Sequence, residues 1–145
     1  MCVTACGLAF SWGLGTAGQL GLNDVENRLV PTLIHGLRGK FAAQVSGGHH
    51  HSVCVTADGT LWSWGENVYN QLGLRYQSDR LVPSLVAETL NGKPVAQVSA
   101  GVFHTCCATV DGTVFSWGYG DCGQLGQKNE VHYDNQVPTL VDMFM

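Results

Sequence analysis

The chain has 145 residues, 45% hydrophobic and 12% charged, with 19 glycines, 4 prolines and a net charge of −4. One domain's length with that much apolar content excludes a disordered tail, and every apolar stretch is far shorter than the ~18 residues of a membrane span. With 7 Lys plus Arg against 11 Asp plus Glu, no direct nucleic-acid contact and no anionic membrane docking is expected.

The predicted elements recur in one order. Residues 2–5 read as a strand, Cys6-Gly7 as a turn, and the segment ending in Ser11-Trp12-Gly13 as the next strand. A Gly-rich stretch leads to Gln19-Leu20-Gly21, and Val30-Pro31 introduces a short strand at Leu33-Ile34. The second unit begins one strand earlier: 41–46, then 52–57, Asp58-Gly59, 60–64, Gln71-Leu72-Gly73, Val82-Pro83 and Leu85-Val86. The third repeats it: 95–99, 105–110, Asp111-Gly112, 113–117, Gln124-Leu125-Gly126, Val137-Pro138 and Leu140-Val141. The Ser-Trp-Gly and Gln-Leu-Gly motifs step by 52 and then 53 residues. The second Val-Pro step is two residues longer, which places an insertion near 128–135.

A fixed period of this length made of short strands describes propeller blades. The predicted fold class is all-β: a partial β-propeller of about three four-stranded blades, the first incomplete. It forms one repeat domain over 1–145, with a partial first copy at 1–40, a second at 41–93 and a third at 94–145. Eleven strands are expected, and no helical periodicity of useful length.

Local chemistry sharpens this. Asp-Gly between apolar runs predicts type I′ hairpins, with positive φ at both central residues. A proline opening the fourth strand suits an outer edge. Gly15, Asn67 and Gly120 share one loop position, and Gly18, Asn70 and Gly123 another; alternation of Gly with Asn predicts positive φ at both. Phe10, Trp62 and Phe115 lie two residues before Trp12, Trp64 and Trp117, hence on one face, which stacked blades would bury. Cys2, Cys54 and Cys107 share a register and are expected to be small core hydrophobes. The adjacent Cys106 and Cys107 argue against a disulfide framework, so reduced thiols and an intracellular location, cytoplasmic or nuclear, are expected. The first ten residues lack a basic n-region, so no secretory signal is expected.

His51 and His104 recur in register, which marks them as ties between strand and loop within a blade rather than as bases or ligands. Alternate residues of a strand face opposite sides, so at most two of His49, His50 and His51 could share an ion, and no metal site is expected. Cys122 has no basic neighbour in sequence to lower its pKa. The Gly13-Leu14-Gly15 and Gly18 run precedes no helix, so it reads as blade geometry rather than a phosphate loop. No singular pair of titratable groups has catalytic spacing; no catalytic residue, metal or cofactor is expected. The variable loop positions Glu66, Val68, Tyr69, Tyr119 and Asp121 remain as candidate binding residues, tyrosine being a favoured interface anchor.

Val45-Ser46-Gly47-Gly48-His49-His50-His51, Asp58-Gly59, Trp62-Ser63-Trp64-Gly65 and Gln71-Leu72-Gly73 with Pro83 together resemble the repeat of the regulator of chromosome condensation family. Val98-Ser99-Ala100-Gly101-Val102-Phe103-His104 fits as well, with Cys106 departing where a larger aliphatic is usual. The resemblance runs over nearly the whole chain. It implies a propeller, commonly of seven blades, of which this chain holds fewer than three. An excised fragment, a short gene product and an assembly of several chains completing a ring all fit, and open apolar blade faces would favour self-association. A light-sensing branch of the family carries a Gly-Trp-Arg-His-Thr run. Here Gly48-His49-His50-His51-Ser52 and Gly101-Val102-Phe103-His104-Thr105 stand instead, so that role is not expected. The expected function is a protein–protein interaction scaffold. The alternative that the family implies is a guanine-nucleotide exchange factor with a small GTPase as partner.

Overall fold

The computed structural model describes residues 1–86, 90, 92–127 and 135–142; most of the anticipated insertion, 128–134, lies outside them. Eleven strands and one 3-10 turn, His35–Leu37, make up the regular structure among the described residues. They are β1 (Cys2–Val3), β2 (Ala9–Gly13), β3 (Arg28–Leu33), β4 (Ala42–Gly47), β5 (His51–Thr56), β6 (Leu61–Gly65), β7 (Arg80–Leu85), β8 (Val95–Ala100), β9 (His104–Thr109), β10 (Val114–Gly118) and β11 (Asn135–Leu140). They form three antiparallel meanders in chain order: β1–β3, β4–β7 and β8–β11, blades 1, 2 and 3 below.

The hairpins fall at the expected places but use a different turn. Thr56 N donates to Thr60 O at 2.9 Å and Gly59 N to Thr56 O at 2.8 Å, and of the central residues only Gly59 has positive φ, +80°. This is a three-residue loop closed by a left-handed glycine, not a type I′ pair. Asp58 serves by its side chain instead: Oδ1 accepts Thr56 Oγ1 at 2.6 Å and Thr60 N at 3.1 Å. The 109–113 and 4–8 turns repeat the backbone pattern, with Cys6 Sγ 3.1 Å from Thr4 Oγ1 in place of the carboxylate.

The fourth strands also differ from expectation. Pro31, Pro83 and Pro138 lie inside β3, β7 and β11 rather than at their starts. They are tolerated because the register slips there in all three blades, between Ser11 and Gly13, Ser63 and Gly65, and Ser116 and Gly118. A bulge on an outer strand needs no donor from the proline. The tryptophan of each Ser-Trp-Gly lies opposite that bulge, while the serine ties back to the next motif: Ser63 Oγ donates to Leu72 O at 2.7 Å, and Ser11 and Ser116 do the same to Leu20 and Leu125.

Blades lock together through the same groups twice. Gln19 O accepts both Trp64 Nε1 at 3.0 Å and Ser52 Oγ at 2.8 Å. One blade on, Gln71 O accepts Trp117 Nε1 at 3.0 Å and Thr105 Oγ1 at 2.8 Å. Along the inner strands, the Gln44 amide brackets Val98, donating to its carbonyl at 2.8 Å and accepting its N–H at 3.0 Å. Between blades 1 and 2 the core comprises Ala9, Ile34, Ala42, Cys54 and Trp64; between blades 2 and 3 it comprises Val53, Val55, Leu61, Val98, Cys107 and Trp117. Each tryptophan therefore belongs to the junction with the preceding blade.

That placement overturns two expectations for blade 1. Trp64 and Trp117 are 0% exposed, but Trp12 is 41% exposed and Cys2 is at the surface. Pro83 and Pro138 are buried while Pro31 is exposed. No described blade precedes β1–β3 to cover those positions.

Candidate functional site

The loops at one end of the blades are short and rigidly specified. In the turn before each Gln-Leu-Gly, the glutamine side chain folds back on its own loop: Oε1 of Gln19, Gln71 and Gln124 accepts the N–H of Ala17, Tyr69 and Cys122 at 2.8, 2.9 and 2.8 Å. One of the two positions predicted to have positive φ does: Gly18 at +74°, Asn70 at +59° and Gly123 at +76°. The other does not. Asn67 is fully buried and spends its amide, Nδ2 donating to Tyr76 O at 2.8 Å and Oδ1 accepting Leu72 N at 3.0 Å. At Gly15 a Cβ would stand 2.1 Å from Glu26 O, so crowding rather than φ selects glycine.

These fixed loops bring rings from two blades together. Tyr69, on the loop after β6, lies with its ring centroid 5.0 Å from Phe103 and 5.1 Å from Tyr119. Phe103 and Tyr119 are 6.4 Å apart at 84°, and the Tyr119 N–H donates to Phe103 O at 2.9 Å. His49 joins at the edge, stacked on His50 at 4.0 Å and 5.6 Å from Phe103. All three rings of the central trio are half-buried. Edge-to-face packing of this kind adds to burial and stiffens the surface it forms.

Carboxylates flank the trio. Glu66 lies with Oε1 3.5 Å from His50 Nδ1, and its Oε2 accepts Gln71 Nε2 at 3.4 Å. A hydrogen bond and then the negative charge of Asp121 push the Tyr119 hydroxyl above its usual pKa. Of the candidates from sequence, then, Tyr69 and Tyr119 meet, with Asp121 on the second and Glu66 at the margin. Val68 is 51% exposed on the same loop, its carbonyl accepting from Gln77 Nε2. Phe103, His49 and His50 were missed as members. The structure supplies the link that the sequence does not state: the residue before each repeated histidine, His50 or Phe103, accepts through its carbonyl from the residue after Trp-Gly, Glu66 or Tyr119.

Of the repeated histidines, His51 ties blade to blade rather than strand to loop within one blade. His51 is 1% exposed and its Nε2 lies 3.0 Å from Thr105 Oγ1 of the next blade. Because Thr105 Oγ1 donates to Gln71 O, it accepts from His51, so the Nε2–H tautomer is set and Nδ1 is a buried lone pair without a partner. Burial, and secondarily the neighbouring His104, lowers the His51 pKa to about 4. That ring is a neutral structural element.

A groove of about 410 Å³ between the inner strands is lined by Gln44, Ser46, Gln97, Ser99 and Cys106. Burial pushes the Cys106 thiol up, and the neighbouring Cys107 to about 12, opposite to what a nucleophile needs. No cluster of three or more His, Cys, Asp or Glu able to hold a metal occurs among the described residues.

Stacked meanders of three and four strands, locked by a repeated tryptophan, define a segment of a β-propeller repeat protein. The regulator of chromosome condensation (RCC1) repeat matches residues 7–55, 58–108 and 111–145, and the chain belongs to that family. It is 40% identical over 140 residues to the ultraviolet-B receptor UVR8 of Arabidopsis thaliana, covering 97% of this chain and 31% of the receptor. It is 34% identical to the RCC2 homologue of Xenopus laevis, covering 90% of this chain and 25% of that protein. Human WBSCR16 superposes with a TM-score of 0.85 at 31% identity, over 95% of this chain and 34% of that one. Prp20p of Saccharomyces cerevisiae gives 0.85 at 24% identity, over 97% and 35%. The chain thus spans about a third or less of the length of these relatives.

Proposed function

We propose that the chain is a protein-interaction module and that the loop end carrying Tyr69, Phe103 and Tyr119, with Glu66, Val68 and Asp121 around them, is its binding face. The supporting observation is a rigid, half-exposed cluster of three rings drawn from two blades and from loops outside the blade core. Aromatic side chains held in place lose little entropy on binding, which is why they dominate interface energetics. Family relationship points the same way: the relative Prp20p binds the small GTPase Gsp1p and histones.

The test is a direct binding measurement of the purified chain against small GTPases and core histones, paired with a Tyr69→Ala/Phe103→Ala/Tyr119→Ala variant of equal charge. A partner held by the chain and released by the variant is the expected result. A partner bound equally by both, or no binding to any member of the set, defeats the proposal. Nucleotide release from the same GTPases separates scaffold from exchange factor, since a scaffold leaves the release rate unchanged.

A further inference from the structure

We infer that Ser78 is a phosphoacceptor for a basophilic serine kinase, read through Arg75, and that Arg80 receives the phosphate once it is made.

The acceptor is singular in sequence and open in structure. Of the 7 Lys and Arg in the chain, only Arg75 has a serine or threonine three residues on, and Arg80 follows that serine by two. Kinases choose substrates by such charge patterns around the acceptor. Residues 75–79 are exposed and lie in the connection between β6 and β7, outside any strand. The segment is still held in place: Tyr76 O accepts Asn67 Nδ2 at 2.8 Å, Asp79 Oδ1 accepts Asn67 N at 2.8 Å, and Gln77 Nε2 donates to Val68 O.

The equivalent loop of blade 1 carries a carboxylate at a position where blade 2 has none. Arg28 and Arg80 pair with Gly13 and Gly65 in the same register. Each turns Nη1 toward the preceding carbonyl, Asn27 O at 3.5 Å and Asp79 O at 3.3 Å. Arg28 also has an anionic partner, Asp24 Oδ2 at 2.5 Å. In blade 2 Tyr76 stands at the Asp24 position, and Arg80 Nη1 donates to Ser78 Oγ at 2.6 Å instead. Ser78 itself stands at the position of the exposed Glu26, so one copy of this loop already carries a negative side chain there. A phosphate on Ser78 gives Arg80 the charged partner that Arg28 has, through a charge-assisted hydrogen bond.

In the transfer, Ser78 Oγ attacks the γ-phosphorus of Mg-ATP and the bond from that phosphorus to the β–γ bridging oxygen breaks. ADP leaves, and the hydroxyl proton passes to the kinase's catalytic aspartate.

The folded chain is incubated with the catalytic domain of protein kinase C and Mg-ATP. A single phosphate located on Ser78 by fragment-ion mass spectrometry is the expected result, with none added to Ser78→Ala. Arg75→Ala should lower the initial rate about tenfold. Phosphorus NMR then reads the product. The second phosphate pKa, ordinarily about 6, should lie about one unit lower in the wild type than in phosphorylated Arg80→Gln. Incorporation only after denaturation, incorporation elsewhere than Ser78, or equal rates with and without Arg75 overturns the acceptor assignment. The same phosphate pKa in wild type and Arg80→Gln overturns the receiving role of Arg80.

Discussion

Acidification should unlock the blades through His51. In the folded chain the ring sits 1% exposed between blades 2 and 3, its Nε2–H spent on Thr105 and its Nδ1 without a partner. A Cβ on Gly48 would lie 2.5 Å from that Nδ1, so there is no space beside it for a solvating group. Its pKa falls from the ordinary 6.5 to about 4. The unfolded chain therefore binds the proton first. The contribution is complete above about pH 6.5 and is lost as the pH falls toward 4. At about 1.4 kcal/mol per pH unit the whole loss is roughly 3 kcal/mol, and about 2 kcal/mol of it arrives between pH 7 and 5. His104, also lowered by burial, adds to the same window with the same sign. The lowered carboxylates of Asp58 and Asp111 act below it, because their stabilisation is lost only as they protonate at lower pH. Urea midpoints at pH 7, 6 and 5, with a constant denaturant slope, measure the effect. In His51→Gln the loss between pH 7 and 5 should shrink by more than half. A flat wild-type profile, or a variant with the same pH slope, would refute the assignment of His51 as a neutral buried lock.

Three further predictions concern packing. Trp64→Ala should cost about 3–5 kcal/mol in chemical denaturation, as for a buried large side chain, whereas Trp12→Ala, at a position 41% exposed, should cost under about 1 kcal/mol; equal costs would remove the blade-stacking account. Gly73→Ala combines positive φ, +67°, with a Cβ 2.7 Å from Trp117 Nε1, and should cost about 2–3 kcal/mol in urea titration. Gly123→Ala, also at positive φ but with nothing within 4 Å, should cost only about 1 kcal/mol. Ser63→Ala leaves the Leu72 carbonyl without its 2.7 Å side-chain donor and should lower stability by about 1–2 kcal/mol in thermal melts, with the fold retained by circular dichroism.

Much of the fold was legible from the sequence because a repeat is its own control. Any feature present in phase three times reports the scaffold, and the blade count, strand count and hairpin positions followed from that alone. Errors arose where one residue type serves two purposes. Asp58 looked like the φ-positive half of a type I′ turn, but its carboxylate caps Thr60, and only the glycine turns left-handed. Asn67 looked like a glycine substitute, but it is a buried amide with both ends bonded. Of the candidate site, Tyr69, Tyr119, Glu66 and Asp121 stood out as loop residues that vary between copies. Phe103 did not, because its role appears only when blade 3 is laid against blade 2.

The order of strands, the turns and the partnership of each Ser-Trp-Gly with its Gln-Leu-Gly were written into the amino-acid sequence, because those interactions are local and identical in every copy. Which copies of a motif are buried, and which loop rings touch, was decided only by stacking. Trp12, Trp64 and Trp117 are equivalent in sequence, yet they differ from 41% to 0% in exposure. Burial belongs to the neighbouring blade as much as to the residue, and no periodicity along one chain states what stands beside its first or last repeat.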